Sequence, residues 1–222
     1  MQAPEKKLRE VGVRDDPYRR IAKWYDRLVA PKTRNLMLDG LSMFRPRPGS
    51  AILDVGCGTG IQLDLYRRDH CSLHGIDSSP SMLELAKRRL GREADLRVGD
   101  ASRLPYEDGA FEFVTCTLVL HGMDHGARLA AVREMKRVLK SDGRILLIDL
   151  CGSRFSLRRG WLAGLVILLF ELAEGRKNLA YYCHCLSINC LPDLVARNTL
   201  AIGKTKTHSK GWMHLVLLQK QS

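Results

Sequence analysis

Leu53-Asp54-Val55-Gly56-Cys57-Gly58-Thr59-Gly60 is the stretch on which the reading of this chain turns. Ala51–Val55 is a short apolar run of the buried-strand kind, and Thr59–Arg68 reads as a helix, so the glycines stand at a strand-to-helix junction. Without a Cβ, such a junction can turn tightly and let a ligand lie close to the backbone. The spacing is G-x-G-x-G rather than the G-x-G-x-x-G of dinucleotide folds. No Gly-Lys-Ser/Thr follows, so it is not a phosphate loop.

Outward from this loop the chain alternates strand and helix. Leu73–Ile76 reads as a strand, Ser81–Leu90 as a helix with Pro80 near its start, and Leu96–Val98 as a short strand. Phe111–Thr115 follows the Asp108-Gly109 turn, Arg128–Leu139 is helical, and Arg144–Leu150 is a strand. Alternation of this kind predicts an α/β fold with a doubly wound, mostly parallel, seven-stranded sheet. Leu200–Thr205 and Trp212–Leu218 flank a turn and predict a terminal antiparallel hairpin at the sheet edge.

Upstream, Tyr18, Ile21, Ala22, Tyr25, Leu28 and Val29 form a helical stripe ending before Pro31, and Leu36, Met37, Leu41 and Phe44 suggest a second helix. The expected organisation is one domain over 1–222. It divides into a flexible tail (1–16), a helical cap (17–48), a cofactor-binding core (50–150), a helical insertion over the acceptor (151–198) and the edge hairpin (199–222).

A net charge of +12 on 222 residues is unevenly placed. Residues 1–50 carry 12 basic against 6 acidic side chains, 51–150 carry 14 against 15, and 151–222 carry 10 against 3. Basic flanks around a neutral centre suit an anionic partner such as a membrane surface. The seven cysteines are an odd number, and Met1–Glu10 has no apolar leader-like run, which together point to a reducing, cytoplasmic setting.

Asp77, 21 residues after Gly56 at the end of the second strand, is placed to hold two ribose hydroxyls. Asp100, after the third strand, can accept from an adenine amino group. Acidic strand ends beside the glycine loop would repel a pyrophosphate, so a nucleoside without phosphates fits better. The stretches LDVGCGTG, GIDSSPSMLELAKRRL, VGDASRLPYEDGAFEFV and REMKRVLKSDGRILLID, in this order, closely resemble the class I S-adenosylmethionine-dependent methyltransferases. Within that family they are similar to the ubiquinone/menaquinone-biosynthesis and phospholipid N-methyltransferase branch. The resemblance covers residues 18–150.

It implies S-adenosylmethionine as cofactor and S-adenosylhomocysteine as product. It places Asp54, Gly56, Cys57 and Gly58 at the methionine end, Asp77 and Ser78 at the ribose, Met82 near the adenine, and Asp100 and Ala101 at the adenine edge. Thr117 and Leu118 would face the sulfonium and its methyl, and Tyr25 would cap the cofactor. Lys140-Ser141-Asp142-Gly143 departs from the Lys-Pro-Gly-Gly more usual in the family, at a surface turn.

Methyl transfer from a sulfonium needs mainly positioning, but a hydroxyl or carbon acceptor also needs a general base. His121, just past the fourth strand, is the candidate base, or else a loop residue capping the next helix; His125 reads as a helix-start residue. Trp161–Phe170 is apolar on every side, but ten residues of helix reach about 15 Å, half a bilayer core. Arg154, Arg158 and Arg159 precede it, so it reads as a lid, an interfacial element on anionic head groups, or a dimer contact. A lid or an interfacial element favours a lipophilic small-molecule acceptor.

Cys183, Cys185 and Cys190 fall short of two zinc-type pairs, so buried free thiols are expected and no metal; an extended 181–185 would set Cys183 and Cys185 on one face. Nucleic acid is an unlikely substrate, since Thr115-Cys116-Thr117-Leu118 stands where a base-gripping Asn/Asp-Pro-Pro-Tyr would be. The basic charge would also suit methylation of a protein. A methyltransferase-like fold can serve as a binding or scaffold subunit without catalysis, but the presence of Asp54, Gly56, Gly58, Asp77 and Asp100 together speaks against that role.

Overall fold

The computed structural model describes residues 16, 18–19, 22, 26, 30–150, 176–187, 190–208 and 211–221. Tyr25 and the whole apolar, arginine-flanked stretch 151–175 lie outside them, as does most of the 18–29 stripe. Helix α1 (Ala30–Met43) carries Pro31 in its first turn, where the missing N–H costs no intrahelical bond. The strands and helices of the core follow as β1 (Ala51–Val55), α2 (Ile61–Asp64), β2 (Ser72–Asp77), α3 (Pro80–Leu90) and β3 (Ala94–Val98). Then come β4 (Phe111–Thr117), α4 (His125–Val138) and β5 (Leu139–Leu150). After the insertion stand α5 (Arg176–Ser187), α6 (Cys190–Arg197), β6 (Leu200–His208) and β7 (Met213–Lys220).

The seven strands lie in the order β3-β2-β1-β4-β5-β7-β6. All neighbours run parallel except β7, which is antiparallel to both β5 and β6. Period-two alternation fills both faces with core. Leu53, Val55, Val114, Ile145 and Leu147 pack with Ala131, Val132 and Met135 of α4 and Leu191 and Leu194 of α6. Ile52, Phe113, Leu146 and Ile148 pack on the other face with Leu36 of α1 and Leu83 and Leu90 of α3. Strands covered on both sides read as continuous apolar runs, which is why Ile145–Ile148 shows no polar alternation.

One element differs from the sequence reading. The helix expected over Thr59–Arg68 is a single turn, Ile61–Asp64, followed by a 3-10 turn at Arg67–Asp69. Gly60 precedes it in the left-handed region (φ 78°), so the helix cannot begin earlier, and the broken path carries Tyr66 into the core, 5.7 Å edge-on from Phe113. Residues 176–187 are helical, in keeping with the helical insertion expected there. Cys183 and Cys185 are therefore about 200° apart around the helix, one exposed and one buried, so they share no face.

The sheet order reverses between β1 and β4, the place where open α/β sheets form a crevice at the carboxyl ends of their strands. Gly56, the first residue after β1, has φ 73°, and a Cβ there would come within 2.3 Å of Val119 Cγ2. The segment after β4 is thereby packed directly on the glycine loop. Gly56→Ala combines left-handed strain with a steric overlap and is expected to cost about 2–4 kcal/mol of stability. A thermal melt matching wild type would show that the two loops are not pressed together.

Candidate active site

Every described residue singled out for the site, except Met82, falls at the carboxyl edge of the sheet or in the turn that follows. Val55 of β1 leads into Gly56, Cys57 and Gly58; Gly56 and Cys57 both donate their N–H to the Ile76 carbonyl, at 2.8 and 3.1 Å. At the end of β2, the Asp77 carboxylate accepts from the Gly58 amide and the Ser79 amide, each at 2.8 Å. Ser78 between them is exposed. Ser79 caps α3 by accepting from the Met82 amide, and Met82 itself is buried. Asp100, exposed beyond β3, accepts from the amide and hydroxyl of Ser102 on one oxygen, at 2.8 Å each, beside the partly buried Ala101.

On the other side of the crevice, β4 ends at Thr117, whose buried Oγ1 has no hydrogen-bond partner among the described residues. Leu118 takes φ 57°, rare for a branched side chain, and donates its N–H to Ile148 at 2.7 Å. A narrow cleft is lined here by Thr33, Met37, Asp54, the glycine loop, Gln62 and Thr117. Gln62, fully buried, donates from Nε2 to Tyr66 while its Oε1 is unpartnered. Whichever way the amide is turned, one of its polar atoms is left for a ligand.

Burial is the largest influence on Asp54, pushing its carboxyl up to about 7 against the hydrogen bond it accepts from Thr115, while the nearby Asp77 charge pushes the same way. Asp77 is also raised, first by burial, with Ser79 and Gly58 amides opposing. The Cys57 thiol is driven well above its ordinary value by burial, which removes it as a nucleophile.

His121 lies on a 3-10 turn, Leu120–Gly122, directly after β4 and is buried. Its Nδ1 is 2.5 Å from Asp149 Oδ1. Asp149, near the end of β5, also accepts from the backbone amides of Leu120 (2.7 Å), His121 (3.3 Å) and Leu150 (2.7 Å). The same turn is stapled by Arg128 of α4, fully buried, which donates to the carbonyls of Leu120, His121 and Tyr181. His125 begins α4 after the Asp124 cap, as its position suggested. Asp149, Arg128 and Gln62 escaped the sequence reading. Each had a local signal, a charged or amide residue inside an apolar stretch, but Asp149 and Arg128 find partners far along the chain, and the burial of Gln62 beside Tyr66 shows only in the fold. Among the described residues no three His, Cys, Asp or Glu side chains are grouped to hold a metal.

Residues 53–147 match the family description "Methyltransferase domain". Over these residues, a little under half of its length, the chain is similar to a methyltransferase domain. A demethylmenaquinone methyltransferase of Thermotoga maritima is 37% identical over 101 residues, 45% of this chain and 43% of that protein. Its counterpart in Staphylococcus aureus is 36% identical over 108 residues, 46% and 44% of the two chains. The match thus spans less than half the length of these curated relatives.

Among solved structures, a Haloferax volcanii protein in complex with the methyltransferase activator Trm112 superposes with a TM-score of 0.70 at 14% identity, over 93% of this chain and 99% of that one. An Aquifex aeolicus S-adenosylmethionine-dependent methyltransferase gives 0.61 at 16%, over 89% and 97%. These likenesses speak to the fold.

The residues of the methyltransferase domain fit its cofactor. Gly58 (φ 52°) has nothing within 4 Å of where a Cβ would be, leaving room for a ligand against its backbone. Each Asp77 oxygen receives one backbone amide and keeps a lone pair for a ribose hydroxyl. Gln62 Oε1 and Thr117 Oγ1, both unpartnered among the described residues, and Asp54 line the same cleft and would be open to the methionine end of such a ligand.

With Asp54 half-protonated near neutral pH, a cationic ammonium or sulfonium in the cleft favours its ionised form, so binding expels a proton. Affinity for S-adenosylmethionine is therefore expected to rise as pH increases toward about 7 and to level off above it. Asp77 titrates with the same sign. Calorimetry in buffers of different ionisation enthalpy should detect the released proton below neutrality, and Asp54→Asn should flatten the profile. Binding that is indifferent to pH in the wild type would take Asp54 out of the cleft's chemistry.

Proposed function

We propose that this chain transfers the methyl group of S-adenosylmethionine to a small lipophilic acceptor of the hydroquinone or quinone-precursor class, at a ring carbon or hydroxyl. The observation that carries the reading is the His121–Asp149 pair at the carboxyl end of β4, on a methyltransferase core similar to the demethylmenaquinone enzymes. An amine acceptor has its own lone pair and needs no base during attack. A phenolic acceptor must lose a proton to become nucleophilic, and a buried imidazole oriented by a carboxylate supplies the place for it.

The cofactor supplies an electrophilic methyl on a sulfonium, whose sulfur leaves with the bonding pair as a neutral thioether. The chain's residues do the rest. Asp149 keeps the proton of His121 on Nδ1 and puts the ring's lone pair on Nε2. Three backbone amides on Asp149 and the Arg128 staple hold the turn so that the imidazole does not wander. The acceptor's hydroxyl proton would pass to Nε2, leaving the phenolate as nucleophile; for attack through a ring carbon, that carbon's own proton would then return to the oxygen to restore the ring. Thr117 and the left-handed Leu118, between β4 and the His121 turn, would stand beside the reacting groups.

His121→Ala is expected to lower kcat by about 10²–10⁴-fold while S-adenosylhomocysteine affinity stays near wild type. His121→Gln, which can still hydrogen-bond Asp149, should lose the same kcat and thereby separate loss of base from loss of anchoring. The reading itself is tested by labelled methyl transfer to a dihydroxynaphthalene acceptor and to a cell extract, followed by organic–aqueous partition. Label in the organic phase supports it; label only in aqueous amines, or wild-type turnover in His121→Ala, overturns it.

A further inference from the structure

Arg128 is fully buried on α4, yet no carboxylate among the described residues accepts a hydrogen bond from it. Its acceptors are the carbonyls of Leu120 (2.7 Å), His121 (3.2 Å) and Tyr181 (2.5 Å), and the Cys190 sulfur, 3.7 Å from Nη1. Asp149 is already engaged by three amides and the His121 ring. A guanidinium taken out of water is costly unless negative charge is close to it. Of these four acceptors, the sulfur alone can carry that charge.

Cys190 is the first residue of α6, where the helix dipole also favours an anion. Cys185, in the last turn of α5, hydrogen-bonds to it through its own thiol. That bond, with the Arg128 charge beside it, holds the Cys190 thiol below its ordinary value against burial and the charge of Asp149. The same bond and burial push Cys185 up, so one sulfur is the nucleophile and the other keeps its proton. Other buried thiols stand differently. Cys57 and Cys116 are driven well above their ordinary value by burial, with Asp54 and a second carboxylate pushing the same way. Cys183 is exposed, on another side of α5.

We propose that Cys190 and Cys185 are a peroxide-sensitive dithiol site, in which hydrogen peroxide oxidises the Arg128-bound Cys190, Cys185 closes a disulfide from α5 to α6, and methyl transfer slows. The Cys190 thiolate attacks one peroxide oxygen: an S–O bond forms, the O–O bond breaks and hydroxide leaves. The Cys185 sulfur then attacks the Cys190 sulfur, forming S–S and breaking S–O, and its proton leaves with the departing hydroxide as water. Two thiols lose two electrons, and one peroxide becomes two waters. The sulfurs are 1% and 2% exposed, so a reagent reaches them on local opening, which suits hydrogen peroxide and excludes a peptide disulfide. A disulfide sulfur carries no charge, so Arg128 loses its anionic partner and its hold on the Leu120 and His121 carbonyls loosens. The slowing, unlike the dithiol itself, rests on the reading of His121 as the base.

The test takes the full chain, reduced and then exposed to hydrogen peroxide, unfolds it in N-ethylmaleimide and cuts it after Lys and Arg. Residues 178–197 then form one peptide holding Cys183, Cys185 and Cys190. After peroxide it is expected to carry a single maleimide, on Cys183, and after dithiothreitol a maleimide on each cysteine. Cys57 and Cys116 should be labelled in both states. Cys185→Ser should stop at a sulfenic acid on Cys190 that dimedone traps. Turnover of the wild type should fall about five-fold on oxidation and return with dithiothreitol, whereas peroxide should leave the turnover of Cys190→Ser where it was. Full maleimide labelling of the 178–197 peptide after peroxide overturns the proposal, and so does a disulfide that leaves turnover unchanged. A reduced wild-type chain that transfers no methyl group overturns the proposed function instead, and the maleimide count still decides the dithiol.

Discussion

Between the first residue of the glycine loop and the segment that follows β4 there is no room for a methyl group. Val119 would stand 2.3 Å from a Cβ on Gly56, and Gly56 is in a left-handed conformation that glycine adopts without strain. Much of the site follows from this contact. It presses the end of β1 against the end of β4 where the sheet order reverses, so the glycine loop and the turn that carries His121 are neighbours. Leu118 takes a positive φ to bring Val119 back over the glycine, and its amide is fastened to Ile148 of β5. From there Asp149 collects the amides of Leu120 and His121 and the imidazole itself.

Three carboxylates at strand ends, Asp54, Asp77 and Asp149, set the electrostatics of the crevice. Each is buried or partly so, and each is held by hydroxyl, amide or imidazole donors rather than by an arginine or lysine among the described residues. Neutral donors orient a carboxylate without cancelling its field, so the crevice favours a cation and disfavours a phosphate. That matches a sulfonium nucleoside. Arg89 and Arg128 serve as ties between segments: one joins the N-terminal segment to the glycine loop, the other α4 to the His121 turn and α5.

The strand-helix alternation, the glycine loop and the acids at the ends of the second and third strands were all legible, because each depends on residues a few positions apart. The parallel sheet, the terminal hairpin and the placement of Gly56, Gly58, Asp77 and Thr117 at one edge follow from that local grammar. Boundaries were less legible. The 59–68 helix shrank to one turn because Gly60 is left-handed, a conformation that glycine permits but does not announce. Cys183 and Cys185 would share a face only on an extended chain, and on the helix of the insertion they fall on two sides.

What the sequence by itself determined is the likeness of the core to methyltransferase domains and the glycines and acids at its strand ends, since those residues are ordered along contiguous motifs. Only the tertiary structure paired His121 with Asp149 across 28 residues, set Arg128 beneath both, and tied Asp16 and Asp26 to α3 and the glycine loop across more than 30. Such pairs are made where strand ends converge. Their distance in space is decided by the order of strands in the sheet and leaves no periodic trace in the chain.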